Sequence, residues 1–371
     1  MESRWIQRCV FVLASALAAV LSTADPGEEG VPVKQTRDLT EFDPILGWRR
    51  IPGFHGTHIQ GEYQVEMRYN ARGFRGTLYP YERRPGTHRI LILGDSYADG
   101  YSVAFKDLFT ETMQQHLKKT IKQPLEVVNS AVGGYGTDQQ LLYFLVDGQR
   151  YKPDLTILLF YQNDLPYNIK ANYTPLGRGE KPLFGLQGDT LYLESLPKPA
   201  RDREAIPREN FYSAKRVKET LEMFARPEAP GGDAPKGPGD KAGVYGSGTQ
   251  AAQWRMTEAL MKKIKASCDA SGSHLLLFYV PIKREIYGSG GKIHRKSSGI
   301  FSHLQVLATR LEIDLVDTLP RYQEKAGQIA GQQQRLYWVR DSHWTPEGHH
   351  LAGEILAWYL SDRCKHYGLC E

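Results

Sequence analysis

Arg89-Ile90-Leu91-Ile92-Leu93-Gly94-Asp95-Ser96-Tyr97 is the stretch whose reading decides the fold. Four consecutive apolar residues, 90–93, read as a short strand buried on both faces, the pattern of a parallel sheet. Gly94 ends the run and permits a tight turn, leaving Ser96 just beyond the strand. Phe105, Leu108, Phe109, Met113, Leu117 and Ile121 then recur at helical spacing and predict a helix. A serine between a buried strand and a helix lies where open α/β sheets receive ligands, beyond the carboxyl ends of the strands.

Outward from this stretch the alternation repeats. Further strands are expected over residues 125–129, 155–161, 275–280 and 313–317. The helix before the fourth strand carries Ala252, Met256, Leu260, Ile264 and Ser267 and closes at Gly272, a C-terminal cap. Ile300, Leu304, Leu307 and Leu311 mark a helix before the fifth. A last helix takes Thr345 as cap and Pro346 in its first turn, and buries Leu351, Ile355, Leu356 and Tyr359. Strands alternating with helices predict an α/β domain on a parallel sheet over residues 88–371.

Ahead of the core, Arg4 and Arg8, the apolar run 9–21 and Ser22-Thr23-Ala24 have the form of an export signal, residues 1–24. The run is shorter than the roughly 20 apolar residues a spanning helix needs, an uncleaved anchor being the alternative. No later stretch is long and apolar enough to cross a membrane. The chain is therefore expected to be exported, periplasmic or extracellular, without stable membrane insertion after cleavage. Residues 25–40 form a polar, mobile leader, and 41–87 a β-rich flap in which Tyr63, Val65, Met67 and Tyr69 share one face of a strand. A long insertion at about 165–250 separates the third and fourth strands. Within it, 183–193 suggest a hairpin turning at Gly188-Asp189, and 210–225 a helix. Residues 226–250 hold 7 Gly and 4 Pro, a flexible segment.

The chain of 371 residues is 41% hydrophobic and 24% charged, ordinary for a globular protein. Its net charge of +5 is dispersed with no Lys/Arg block, which argues against a nucleic-acid partner. Without Cys9 three cysteines remain, enough for one bridge; Cys364 and Cys370, flanking a short loop, are the expected pair. No Cys-x-x-Cys is present, which removes zinc and redox readings. A metal site from His343, His349 and His350 lacks a ligand spacing.

Three further stretches sit at strand ends or at the start of the last helix: 129–138 with Gly133-Gly134, 161–164 with Asn163, and Asp341-Ser342-His343-Trp344. A serine hydroxyl is a weak nucleophile and needs a base, which His343 can be. Asp341 can fix the imidazole tautomer and stabilise the imidazolium. The N–H groups of Ser96 and Gly134 and the Asn163 amide can donate to the oxyanion of a tetrahedral intermediate.

In this order the four stretches resemble the SGNH (GDSL-type) hydrolase superfamily, whose blocks contribute Ser, Gly, Asn and His, here Ser96, Gly134, Asn163 and His343. The resemblance implies a flavodoxin-like three-layer α/β/α sandwich, catalysis by Ser96, His343 and Asp341, an oxyanion hole of Ser96, Gly134 and Asn163, and no cofactor or metal. The usual Asp-x-x-His is shortened to Asp341-x-His343, and Tyr161 replaces the glycine of Gly-x-Asn-Asp. The form Asp341-Ser342-His343-Trp344 is similar to the catalytic segment of alginate O-acetyltransferase-type SGNH proteins, whose blocks run in another order. The Gly-x-Ser-x-Gly elbow of ordinary α/β-hydrolases is absent. The expectation is an exported serine esterase acting on a small acyl ester or acylated carbohydrate. The alternatives are a polysaccharide O-acetyltransferase and a non-catalytic binding protein. Tyr97, Tyr135, Tyr161 and Trp344, with Tyr101 and Tyr167, are expected as aromatic faces for a sugar.

Overall fold

In the central sheet, side chains alternate between two apolar layers, as period-two geometry requires of strands buried on both faces. The computed structural model describes residues 34–35, 39–172, 179–199, 212–227, 249–288, 299–330, 332 and 335–370. The expected signal segment, most of the leader and all but the ends of the 226–250 segment lie outside them. The chain divides into two units, Met1–Lys34 and Gln35–Glu371, and every element named here belongs to the second.

Two antiparallel hairpins come first. Strands β1 (Thr40–Asp43) and β2 (Gly47–Arg50) pair with each other, as do β3 (His55–Gln60) and β4 (Tyr63–Arg68). In β4 burial alternates residue by residue, so Tyr63, Val65 and Met67 point inward. They pack with Leu39, Phe54 and Tyr69 in a small core of their own. Strand β3, His-Gly-Thr-His-Ile-Gln, carries no apolar alternation that would predict a strand; it forms because β4 supplies its hydrogen-bond ladder.

The core strands are β5 (His88–Leu93), β6 (Leu125–Asn129), β7 (Leu155–Phe160), β10 (His274–Tyr279) and β11 (Asp314–Val316). All are parallel, in the spatial order β11-β10-β7-β5-β6. Between β7 and β10 the hairpin β8 (Leu183–Gln187) and β9 (Thr190–Ser195) turns at Gly188-Asp189. All six residues of β7 are buried, and each fully buried Leu or Ile contributes roughly 1.5–3 kcal/mol of transfer free energy.

Leu91, Leu93, Leu158, Phe160, Leu277 and Tyr279 face one layer, and Ile90, Ile92, Ile157, Leu159, Leu276 and Phe278 the other. The first layer is covered by helices Thr137–Val146, Gln250–Ser271 and Gly299–Arg310. Helices Phe109–Leu117, Leu319–Gln328 and Pro346–Asp362 cover the second. The result is the three-layer α/β/α sandwich. Thr345 caps the last helix through the Gly348 N–H, with Pro346 following it, and Gly272 ends Gln250–Ser271 at φ 74°.

The helix expected from Phe105 to Ile121 is broken up. A single turn, Ser96–Asp99, stops at Gly100 in the left-handed region, and a 3₁₀ turn over Phe105–Asp107 precedes Phe109–Leu117. Phe105 is exposed and Ile121 lies beyond the helix, so neither extends its buried stripe. Cys364 and Cys370 are disulfide-bonded, and Cys268 is a buried free thiol.

Candidate active site

The sheet order reverses at β5, whose neighbours β7 and β6 lead to chain segments on opposite sides of it. A crevice at such a switch point is where open α/β folds bind ligands. Ser96 follows β5 directly, as the first residue of the Ser96–Asp99 turn. Asp95 caps that turn, its Oδ1 accepting the Tyr97 N–H at 2.9 Å. Gly94 is needed for close approach: a Cβ there would stand 2.7 Å from that of Ala98.

His343 brings its ring to this serine from 247 residues away: Nε2 lies 2.7 Å from Ser96 Oγ. On the other side Nδ1 hydrogen-bonds Asp341 Oδ1. A carboxylate can only accept, so Nδ1 carries the proton and Nε2 presents its lone pair to the serine hydroxyl. Asp341 Oδ1 also accepts the His343 backbone N–H at 3.0 Å, while Oδ2 accepts from Tyr63 Oη at 2.9 Å and Gln60 Nε2 at 3.2 Å. Burial opposes ionisation of Asp341, but the bonds and charge of His343 outweigh it and hold the carboxyl well below the usual range. The one-residue spacer therefore does not keep the carboxylate from the ring.

The oxyanion candidates lie around Ser96. Val132 N–H donates to Gly94 O at 3.3 Å, which runs the glycine loop alongside the end of β5. A Cβ on Gly133 would sit 3.6 Å from Ser96 Cβ and 2.8 Å from Arg50 Nη2, so a side chain there would displace the Arg50 guanidinium. Gly134 has φ 84°. Neither its N–H nor that of Ser96 donates to another group among the described residues. Asn163 donates from Nδ2 to Asp95 Oδ2 at 2.8 Å, which leaves its second amide hydrogen available. Burial raises the Asp95 carboxyl above its ordinary value.

The aromatic residues expected at the substrate surface are a correction. Trp344 is fully buried, and Tyr97, Tyr135 and Tyr161 are 1%, 2% and 7% exposed. Trp344 stacks on Tyr322 and packs edge-on against Tyr97. Tyr97 donates its hydroxyl to Ser342 O at 2.6 Å, and Tyr135 to Trp48 O at 2.7 Å. Tyr97 and Trp344 pack beneath the His343 loop, because neighbours in sequence to a site residue point away from it. Tyr135 packs on Trp48 in the other layer, and Tyr161, mostly buried against Tyr97, keeps an edge in the wall of a neighbouring pocket. Tyr167 is buried as well, and Tyr101 stands beside the catalytic histidine candidate, its Oη 3.2 Å from His343 Nε2.

Other groups at the site were not foreseen. Arg50 and Asp99 form an ion pair with both side chains 2% exposed, joining β2 to the turn that carries Ser96. Lys283 donates to the carbonyls of Trp338 and Val339 at 2.5 and 2.6 Å. Beside the His343 loop a pocket of about 470 Å³ is lined by Tyr161, Gln162, Lys283, Arg284, Tyr287 and Ser342.

Residues 243–369 match the family described as SGNH hydrolase-like domain, acetyltransferase AlgX. That span holds Asp341 and His343 but not Ser96, Gly134 or Asn163. A comparison with curated proteins finds no match. Among solved structures the chain is similar to TesA, at 13% identity and a TM-score of 0.40 over 74% of this chain and 98% of that one. It is also similar to Axe2, an acetylxylan esterase from Geobacillus stearothermophilus, at 12% identity and 0.40 over 76% and 96%. A third is the two-domain esterase CEX, active on acetylated mannans, at 14% and 0.40 over 76% and 50%. Overlaps this loose bear on no activity.

Proposed function

From a chain that carries the SGNH hydrolase-like fold with an AlgX-like segment, we propose a serine esterase that cleaves small acyl groups from an acylated carbohydrate. The observation that carries the reading is the contact of Ser96 Oγ with His343 Nε2 at 2.7 Å, opposite the Nδ1–Asp341 hydrogen bond. Ser96 Oγ attacks the ester carbonyl carbon while its proton passes to Nε2. The oxyanion takes hydrogen bonds from the N–H groups of Ser96 and Gly134 and from Asn163. Collapse breaks the bond to the alcohol oxygen, which leaves with the proton from Nε2. Water then attacks the acyl-enzyme, giving its proton to the same nitrogen, and the acid departs as Ser96 recovers the proton.

The pocket beside the His343 loop, with Tyr161, Gln162 and Tyr287 in its wall, is large enough for a sugar unit and supports the carbohydrate reading. Export is supported by the sequence of residues 1–24 and by the Cys364–Cys370 bridge, which suits an oxidising compartment. Among the described residues no helix is long and apolar enough to cross a membrane.

The test is labelling by a fluorophosphonate together with turnover of short acyl esters. Ser96 should be the labelled residue, and Ser96→Ala or His343→Ala should lower kcat by roughly 10⁴-fold or more. Full activity in Ser96→Ala would sink the reading.

The AlgX match favours one second reading, an O-acetyltransferase that passes the same acyl group to a polysaccharide hydroxyl. Supplying an acyl donor with and without glycan fragments and weighing the products separates the two. Free acid is the expected main product; predominantly acylated glycan would reverse the order.

A further inference from the structure

Residues 338–343, which carry Asp341 and His343, form an irregular loop with no helix or strand of their own. Inside the loop the Trp338 N–H donates to the His343 carbonyl at 3.0 Å and the His343 N–H to Asp341 Oδ1 at 3.0 Å, but no group of the loop holds Oδ2. We propose that the turn of the β3–β4 hairpin, Gln60 to Tyr63, is a positioning element of the active site that holds Asp341 against His343. The inference rests on the esterase reading of Ser96 and His343.

The contacts have two levels. At the backbone, the Glu62 carboxylate accepts three successive N–H groups, those of Val339, Arg340 and Asp341, at 2.9, 2.5 and 2.8 Å. Desolvation alone would raise the Glu62 carboxyl, but these donors outweigh it and hold it below its ordinary value. Lys283 takes the carbonyls of Trp338 and Val339 from the other side. The loop is thus gripped by a carboxylate on its N–H groups and an ammonium on its carbonyls. At the side chain, Tyr63 Oη and Gln60 Nε2 occupy Asp341 Oδ2, leaving Oδ1 to His343. With one oxygen held by the hairpin, the carboxylate cannot rotate its other oxygen away from the imidazole. Tyr63 also packs on Trp338, with ring centroids 5.4 Å apart. The hydrogen-bonded residues of the hairpin turn and the loop lie 277 to 281 residues apart in sequence, so the contact is a feature of the fold and not of the Asp-x-His segment.

None of the three residues need touch substrate, so their effect should run through Asp341. Tyr63→Phe removes one hydroxyl and keeps the packing. It should lower kcat on a short acyl ester by about tenfold to a hundredfold, as loss of a hydrogen bond to a charged group does. KM should stay at its wild-type value, since Tyr63 need not touch substrate. In an Asp341→Ala background the same substitution should change kcat by less than about twofold, since coupled residues are not additive. Gln60→Ala, aimed at the same oxygen, is the second variant should Tyr63→Phe fold poorly.

A readout independent of turnover is the far-downfield proton resonance of the His343 ring N–H bonded to Asp341. It should move in Tyr63→Phe, and in Glu62→Gln. An unmoved resonance, or full additivity of Tyr63→Phe with Asp341→Ala, would overturn the proposal. If the wild-type protein turns over no ester, the esterase reading fails, and the proton resonance still decides whether the hairpin sets the Asp341–His343 bond.

Discussion

Replacing Asp95 by asparagine should disable the oxyanion hole without touching the nucleophile or its base. Asp95 is 1% exposed and uses both oxygens, Oδ1 on the Tyr97 N–H and Oδ2 on Asn163 Nδ2 at 2.8 Å. The Tyr97 N–H is fixed by the helical turn, so in Asp95→Asn the amide oxygen must stay on that side. The new NH₂ then faces Asn163 Nδ2, donor against donor. Asn163 can relieve the clash only by rotating its amide, which turns Oδ1 toward the place where the oxyanion forms. One lost oxyanion donor costs roughly 10²–10³ in kcat, and an acceptor aimed at a developing negative charge adds to it, so the loss should equal or exceed that of Asn163→Ala. The assay is kcat and KM on a short acyl ester, with fluorophosphonate labelling and Tm as controls. A kcat within about threefold of wild type would refute the assignment of Asn163 as a donor held by Asp95. Acid should mimic the substitution. Burial raises the Asp95 carboxyl in the folded protein, and protonation on Oδ2 would likewise place a donor opposite Asn163. A carboxyl whose pKa rises on folding favours the folded state below its unfolded value and loses that contribution as pH rises through the folded one. Activity should therefore fall with falling pH in a range above the ordinary aspartate pKa, while this group does not itself destabilise the fold.

Three further outcomes follow from burial and pairing. Trp344→Ala should destabilise by about 3–5 kcal/mol in a denaturant titration, because a fully buried ring is removed from among Tyr97, Phe278 and Tyr322; an unchanged midpoint would contradict that burial. Asp99→Asn should lose about 3–5 kcal/mol by leaving the Arg50 guanidinium buried without its counter-charge, and near-neutral stability would show that the pair is solvated. Reducing Cys364–Cys370, a pair six positions apart, should lower stability by about 2 kcal/mol on the chain-entropy account, read as a drop in Tm with reductant. Identical melting with and without reductant would mean that the loop closes as firmly without the bond.

The parts of the fold legible in the sequence were those that local pattern controls. The five core strands are runs of apolar residues, and each was located to within two residues because little else reads that way. The caps Thr345-Pro346 and Gly272 are equally local. The four site stretches were legible because each sits at a strand end or a helix start, and the structure draws Ser96, His343 and Asp341 into contact and sets Asn163 on Asp95. What escaped were polar groups whose partners lie far along the chain. Glu62 looks like a surface charge until residues 339–341 are laid over it, and Arg50 like any arginine until Asp99 meets it, 49 positions on. Tyr97 and Trp344 were misplaced for the opposite reason, adjacency to Ser96 and His343 being a local fact that says nothing of direction. Strand β3, with glycine and two histidines in six residues, has no pattern to read and exists only as a partner.

If Ser96 and His343 work together as proposed, the distance along the chain between them also sets when the protein becomes chemically active. The two are 247 residues apart. At roughly 5–20 residues per second of synthesis, tens of seconds separate the appearance of the nucleophile from that of its base. During that interval Ser96 is an ordinary alcohol, because a serine without a base is a weak nucleophile. On the esterase reading, the nascent chain stays latent until the loop carrying His343 has folded back over the Ser96 turn.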